Sequence, residues 1–227
     1  MKRNILFLFL ALASASPSAQ SYPPAFPRTN ATKLLETDRI VVWDIVWPKG
    51  QPTAMHRHVY DQVGTYYATG GRVITTLDGA SRSTTTPVGA LSTTRKGTTH
   101  IEEGSTDPPL RAVFIELKYE TGSGRPDAPS AVAPAFPREG ATPLLDNERV
   151  AIWDYTWKTG GSGVKARYAA ETILIWLGKG KLRLTPASGA TAIIDVAPGR
   201  IRRYDRGAIE TEEVLEGAPR AVVVSFK

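Results

Sequence analysis

Apolar residues along this chain recur in short runs rather than at helical spacing. Segments such as Arg39–Trp47, Arg72–Leu77, Arg111–Tyr119 and Ile173–Leu177 are rich in Val, Ile, Thr and aromatic residues, the types that fit a pleated, half-buried surface. Glycine and proline punctuate them at Gly70-Gly71, Pro87, Gly89, Gly178, Gly180 and Pro198-Gly199. No segment holds a 3.6-residue apolar period with caps. Many short strands separated by glycine turns predict an all-β sandwich or barrel of jelly-roll type.

The pattern is written twice. Ala25-Phe26-Pro27-Arg28 returns as Ala135-Phe136-Pro137-Arg138, and residues 25–47 and 135–157 share 12 identities in 23 positions. Leu34, Leu35, Arg39, Trp43, Asp44 and Trp47 each recur 110 residues later. Near the ends, RAVFIELK at 111–118 returns as RAVVVSFK at 220–227, an offset of 109. One residue of slippage over so long a repeat indicates duplication of a whole domain. The expected units are 22–120 and 133–227, joined by a linker at 121–132 rich in Gly, Ser, Ala and Pro.

The first residues stand outside this repeat. Lys2 and Arg3 precede an apolar run from Ile5 to Ala13 and the small stretch Ala13-Ser14-Ala15, the order of a secretory signal peptide. The run is about half the roughly 20 residues that a membrane-spanning helix needs. Residues 1–15 are therefore expected to be cleaved, with a cut after Ala19 as the alternative, and the mature chain to be periplasmic or secreted with no membrane contact. There are no cysteines, so lipobox anchoring and disulfide staples are excluded, and the apolar cores must supply the stability.

Charge adds little. The formal +6 becomes +4 once Lys2 and Arg3 are removed, and bases and acids are mixed. The densest cluster, Arg200, Arg202, Arg203 and Arg206, contains Asp205 and a single aromatic, Tyr204. It reads as a solvated strand and turn, and no nucleic-acid partner is expected.

Candidate chemistry lies in the histidines. The chain has three, His56, His58 and His100, all in the first repeat. On an extended strand His56 and His58 share a face, so one metal can take both imidazoles and a third from a distant strand. Three neutral imidazoles suit Fe, Ni, Cu and Zn and leave positions open. The intervals complete two spaced motifs: Gly50, His56, His58 and Gln62, then Gly89, Arg95, Gly97, His100 and Gly104. In both, the chain resembles the cupin superfamily, with Gln62 in the glutamate slot, Arg95 in the proline slot and Gly104 in the asparagine slot. The resemblance covers both repeats. It implies two tandem double-stranded β-helix barrels, a bicupin, with one divalent ion (Fe, Mn, Ni, Cu or Zn) inside the first. It also raises the prospect of a homodimer paired through edge strands.

The fourth ligand stays open among Gln62, Asp61 and a plain three-histidine site. Gln62 keeps the interval from His58; Asp61 is one residue short but aligns with Glu171. The second repeat acts as an internal control. At an offset of 110, His56, His58, Gln62 and His100 become Ala166, Tyr168, Thr172 and Glu210, while the surrounding glycines stay. Such a split is expected if the histidines serve a site and the glycines serve the fold. Tyr168 is expected to fill the space of the missing metal, and Glu210 to be answered by Arg203 or Arg206. Glu102, two residues beyond His100, is a candidate general base. However, Glu102-Glu103 recurs as Glu212-Glu213, which favours a structural role. Trp43, Asp44 and Trp47 recur as well and read as packing with a paired carboxylate.

Fold alone does not set function. The leading expectation is an exported metal-dependent enzyme with dioxygenase-like chemistry on a small molecule, because no dedicated acid–base pair is evident. The alternatives are a non-catalytic periplasmic protein that binds a small ligand or metal, and a structural bicupin stabilised by its ion.

Overall fold

The structure, a computed structural model, describes residues 21–122, 129–159 and 163–227. The expected signal segment and residues 123–128 of the expected linker lie outside it. Among the described residues there is no helix, and hence none long and apolar enough to cross a membrane. The all-β expectation holds.

Nine strands lie in the first half: β1 (Ala31–Glu36), β2 (Ile40–Trp47), β3 (His56–Arg57), β4 (Asp61–Ala68), β5 (Gly70–Thr76), β6 (Ser81–Thr86), β7 (Leu91–Thr94), β8 (Thr99–Gly104) and β9 (Leu110–Leu117). Nine more follow: β10 (Thr142–Asp146), β11 (Val150–Thr156), β12 (Val164–Arg167), β13 (Glu171–Trp176), β14 (Gly180–Pro186), β15 (Ala192–Val196), β16 (Ile201–Tyr204), β17 (Ile209–Gly217) and β18 (Arg220–Phe226). The first set forms a five-stranded sheet, β1-β2-β9-β4-β7, and a four-stranded one, β3-β8-β5-β6. The second set repeats both orders, as β10-β11-β18-β13-β16 and β12-β17-β14-β15. These strands pair antiparallel, each with partners in its own half. This arrangement of four sheets is compatible with two jelly-roll barrels.

Alternation along each strand divides the apolar residues between two destinations. Val41, Trp43, Ile45 and Trp47 point into the first half, where they pack with Phe26, Tyr66, Ala112 and Phe114. Ile40, Val42, Val63, Val113, Ile115 and Leu117 point the other way. They meet Val150, Ile152, Ile173, Ile175, Val222, Val224 and Phe226 of the second half in one continuous buried cluster. The central strands are apolar on both faces because both faces are covered.

Reciprocal ion pairs frame that junction. Asp61 takes a short hydrogen bond from Arg149, and Glu171 lies 3.8 Å from Arg39. These are the same two repeat positions used in both directions. The recurring aspartates are paired as expected: Asp44 accepts from Tyr67 at 2.6 Å and lies 3.4 Å from Arg111, and Asp154 accepts from Arg220 at 2.5 and 3.0 Å.

Candidate metal centre

The backbone frame of the site is common to both halves. His56 pairs with His100 across β3 and β8, and Ala166 pairs with Glu210 across β12 and β17. The carbonyl of residue 58 accepts from the amide of Gly97 at 2.8 Å, and that of Tyr168 from Gly207 at 2.7 Å. Both glycines have φ near +86° (Gly97 +86°, Gly207 +85°), a region L-residues with side chains rarely adopt. Hence the glycine of the second motif recurs without its histidine. Gly104 stands where an added Cβ would lie 2.1 Å from the Trp47 carbonyl oxygen, so this position serves close packing.

On that frame the first half carries three buried imidazoles. One ring nitrogen from each of His56, His58 and His100 lies within 4.8 Å of the other two. The Nε2 atoms of His58 and His100 are 3.3 Å apart. Two nitrogens each about 2.1 Å from one ion at tetrahedral or right angles are separated by roughly 3.0–3.4 Å. His56 Nδ1 lies 3.0 Å from the Ala54 carbonyl oxygen, to which it can only donate. This fixes the tautomer and leaves Nε2 as a lone pair. His56 Nε2 is buried with no protein partner, as is His58 Nδ1. Burial, first among the causes, pushes His58 and His100 down to about 4 and lowers His56 as well, so all three are neutral near pH 7. Converging neutral imidazoles with an unpartnered nitrogen fit a divalent transition ion.

Gln62 lies on β4 with its side chain on the inner face, in the alternation of Gly64 and Tyr66 rather than Val63 and Tyr67. It is 3% exposed, and its Nε2 has no partner. Asp61 sits on the opposite face. Its carboxylate accepts from the Lys96 amide at 2.6 Å and from Arg149, so it serves the junction between halves and is turned from the histidines.

Glu102 is brought to the site but held fast. Its carboxylate takes Arg28 at 2.7 Å, Trp47 Nε1 at 3.2 Å and a short hydrogen bond from Arg72, and lies 3.8 Å from His100 Nε2. Despite burial, the two guanidinium groups hold it well below the usual carboxylate range. Glu212 repeats the lock, with Arg138 and Trp157 Nε1 each at 2.8 Å. A permanently ionised, cation-clamped carboxylate is a poor proton acceptor, and its recurrence marks it as structural. Arg72 Nη2 also donates to the Tyr66 hydroxyl at 2.8 Å. At the equivalent repeat position the second half has Leu182, so this second cation belongs to the first half alone.

In the second half Tyr168 fills the space. Its ring stacks on Tyr204 with centroids 3.7 Å apart, and its hydroxyl donates to Glu212. Burial and the neighbouring carboxylates hold both tyrosines well above their usual range, so they remain donors. Glu210 is answered by Arg202 at 2.8 Å and the Tyr204 hydroxyl at 2.5 Å. The expected Arg203 instead pairs with Glu171 at 2.8 Å and Asp205 at 2.6 Å. The reason is strand parity: on β16, Arg202 and Tyr204 share the inward face and Arg203 points to the junction.

No family model matches the chain, and no curated protein matches it either. Solved structures do. A cupin 2 conserved barrel domain protein from Leptotrichia buccalis is similar over 87% of this chain and 88% of its own, at 10% identity and a TM-score of 0.57. AerE from Microcystis aeruginosa covers 87% and 97% at 10% identity, with a TM-score of 0.61. The oxalate decarboxylase of Lactobacillus farciminis, solved as a formate complex, covers 93% and 87% at 12% identity, with a TM-score of 0.55. At such identities these likenesses speak to the fold.

Proposed function

For a chain of the cupin fold whose three histidines converge in one half, we propose an exported metalloprotein that binds one divalent transition ion through His56, His58 and His100. The observation that carries this reading is the convergence of three neutral, buried imidazoles, one with a bare Nε2. We assign Gln62 to the fourth position or beside it. A bound ion supplies open positions at which a small organic substrate and O2 can meet. The protein's own groups hold the imidazoles in one tautomer and exclude bulk water. Glu102 serves as a fixed negative charge beside His100.

The reaction class that best suits this donor set is dioxygenase-like, because Glu102, the carboxylate 3.8 Å from His100, is clamped by Arg28 and Arg72 and is a poor proton acceptor. The same clamping also favours a second reading, a protein that binds a small ligand or metal without turnover. Metal-loaded protein incubated with small oxygenated organic molecules under 18O2 separates the two. Label in product, lost in His100→Ala, supports the enzyme; saturable binding without oxygen uptake overturns it in favour of the binding protein.

A further inference from the structure

Three residues form a row across neighbouring strands on the inner face of the first half. Gln62 on β4 pairs with Thr94 on β7 and with Glu116 on β9. The equivalent row in the second half is Thr172, Tyr204 and Ser225. There the row is closed: Thr172 Oγ1 and Ser225 Oγ lie 2.9 Å apart, and the Tyr204 ring fills the interior against Tyr168.

The first row is open. Gln62 and Glu116 are 3% and 4% exposed. Glu116 Oε2 accepts from Trp43 Nε1 at 2.8 Å, but its Oε1 has no partner, and neither has Gln62 Nε2. A donor and an acceptor, adjacent and both buried, are thus left unsatisfied, each at a cost comparable to a lost hydrogen bond. Thr94, where the second half has Tyr204, leaves the space beside them unfilled by a ring.

We propose that Gln62 and Glu116 bind a hydroxyl group of a small organic ligand, its oxygen accepting from Gln62 Nε2 and its hydrogen donated to Glu116 Oε1. A hydroxyl is the group that donates and accepts through one atom, which matches the unpaired atoms of this pair. The ligand class is therefore hydroxylated molecules, as against ethers or hydrocarbons. The inference deepens the ligand-binding reading and rests on it in taking the first half as the working one.

The test uses the full-length, metal-loaded protein and two matched probe pairs, phenol with anisole and cyclohexanol with its methyl ether. The Gln62 side-chain amide and the Trp43 indole N–H are followed in 1H–15N spectra. The expected result is that both alcohols move both signals and bind at least tenfold more tightly than their ethers. The double variant Gln62→Thr with Glu116→Ser, which copies the closed row of the second half, should abolish that preference. Equal affinity for alcohol and ether, pointing to an apolar cavity, overturns the proposal. So does an unmoved Gln62 amide, which would assign the pair to internal water. Metal content measured on the same samples keeps this outcome separate from the metal reading, since histidine occupancy does not depend on how alcohols and ethers compare.

Discussion

The two halves share their strand order and, around the site, single backbone hydrogen bonds, yet one gathers imidazoles where the other packs tyrosine rings. Gly97 and Gly207 tie down residues 58 and 168 alike. The clamps on Glu102 and Glu212 have the same arginine and tryptophan. Against that constant frame, His58 becomes Tyr168, His100 becomes Glu210, Thr94 becomes Tyr204 and Arg72 becomes Leu182. The second half shows what the frame does when it must only be stable: it fills its interior with the stacked Tyr168 and Tyr204 rings and answers Glu210 with Arg202 and the Tyr204 hydroxyl. The first half leaves bare His56 Nε2, Gln62 Nε2 and Glu116 Oε1, and chemistry is expected where stability has been forgone.

The largest effect should come from the shared clamp. Glu102→Leu strands Arg28 and Arg72, whereas Glu212→Leu strands Arg138. Breaking a buried pair costs about 3–5 kcal/mol, so both variants should unfold at much lower denaturant, Glu102→Leu the more so. Equal and small losses would show that the clamp is not structural. Next, Tyr168→Ala should cost roughly 2–4 kcal/mol through the cavity left beside Tyr204. Its metal content should match that of the parent; a loss of metal would reveal a site in the second half.

Much of this contrast could be read from the sequence. The repeat, the β character, the motif intervals and the matched replacement of every histidine all lay in spacing and composition. What spacing could not supply was the direction of each side chain relative to a register not yet known. Asp61 and Gln62 are adjacent, and only the pairing of β4 with β9 shows that one faces Arg149 and the other the interior. The same parity decides that Arg202, and not Arg203, answers Glu210. Glu116 is hard to single out in sequence because the terminal repeat reads as apolar packing. The signal was nonetheless present, since RAVFIELK carries Glu where RAVVVSFK carries Ser.

A reversible, pH-dependent loss should separate the halves further. His58 and His100 titrate near 4 in the folded chain, against roughly 6.5 when unfolded. Between these values the unfolded chain binds protons that the folded one does not, so metal-free stability is full above about pH 6.5 and falls as pH drops toward 4. Melting of chelator-treated protein across this range should show the decline, and a variant with both histidines replaced by phenylalanine should flatten it. The smallest effect is expected at the junction. Asp61 is partly exposed beside Arg149, and Asp61→Ala should cost about 1 kcal/mol or less with metal content unchanged. Lost metal there would reinstate Asp61 as a ligand.

The central claim is that the ion belongs to the three imidazoles and not to the frame that both halves share. Elemental analysis of the parent, His100→Ala and Glu210→Ala, prepared side by side, tests it at equivalent positions of the two halves. The account predicts about one equivalent per chain in the parent and in Glu210→Ala, and a large loss in His100→Ala. Full occupancy in His100→Ala, or a loss confined to Glu210→Ala, would contradict it.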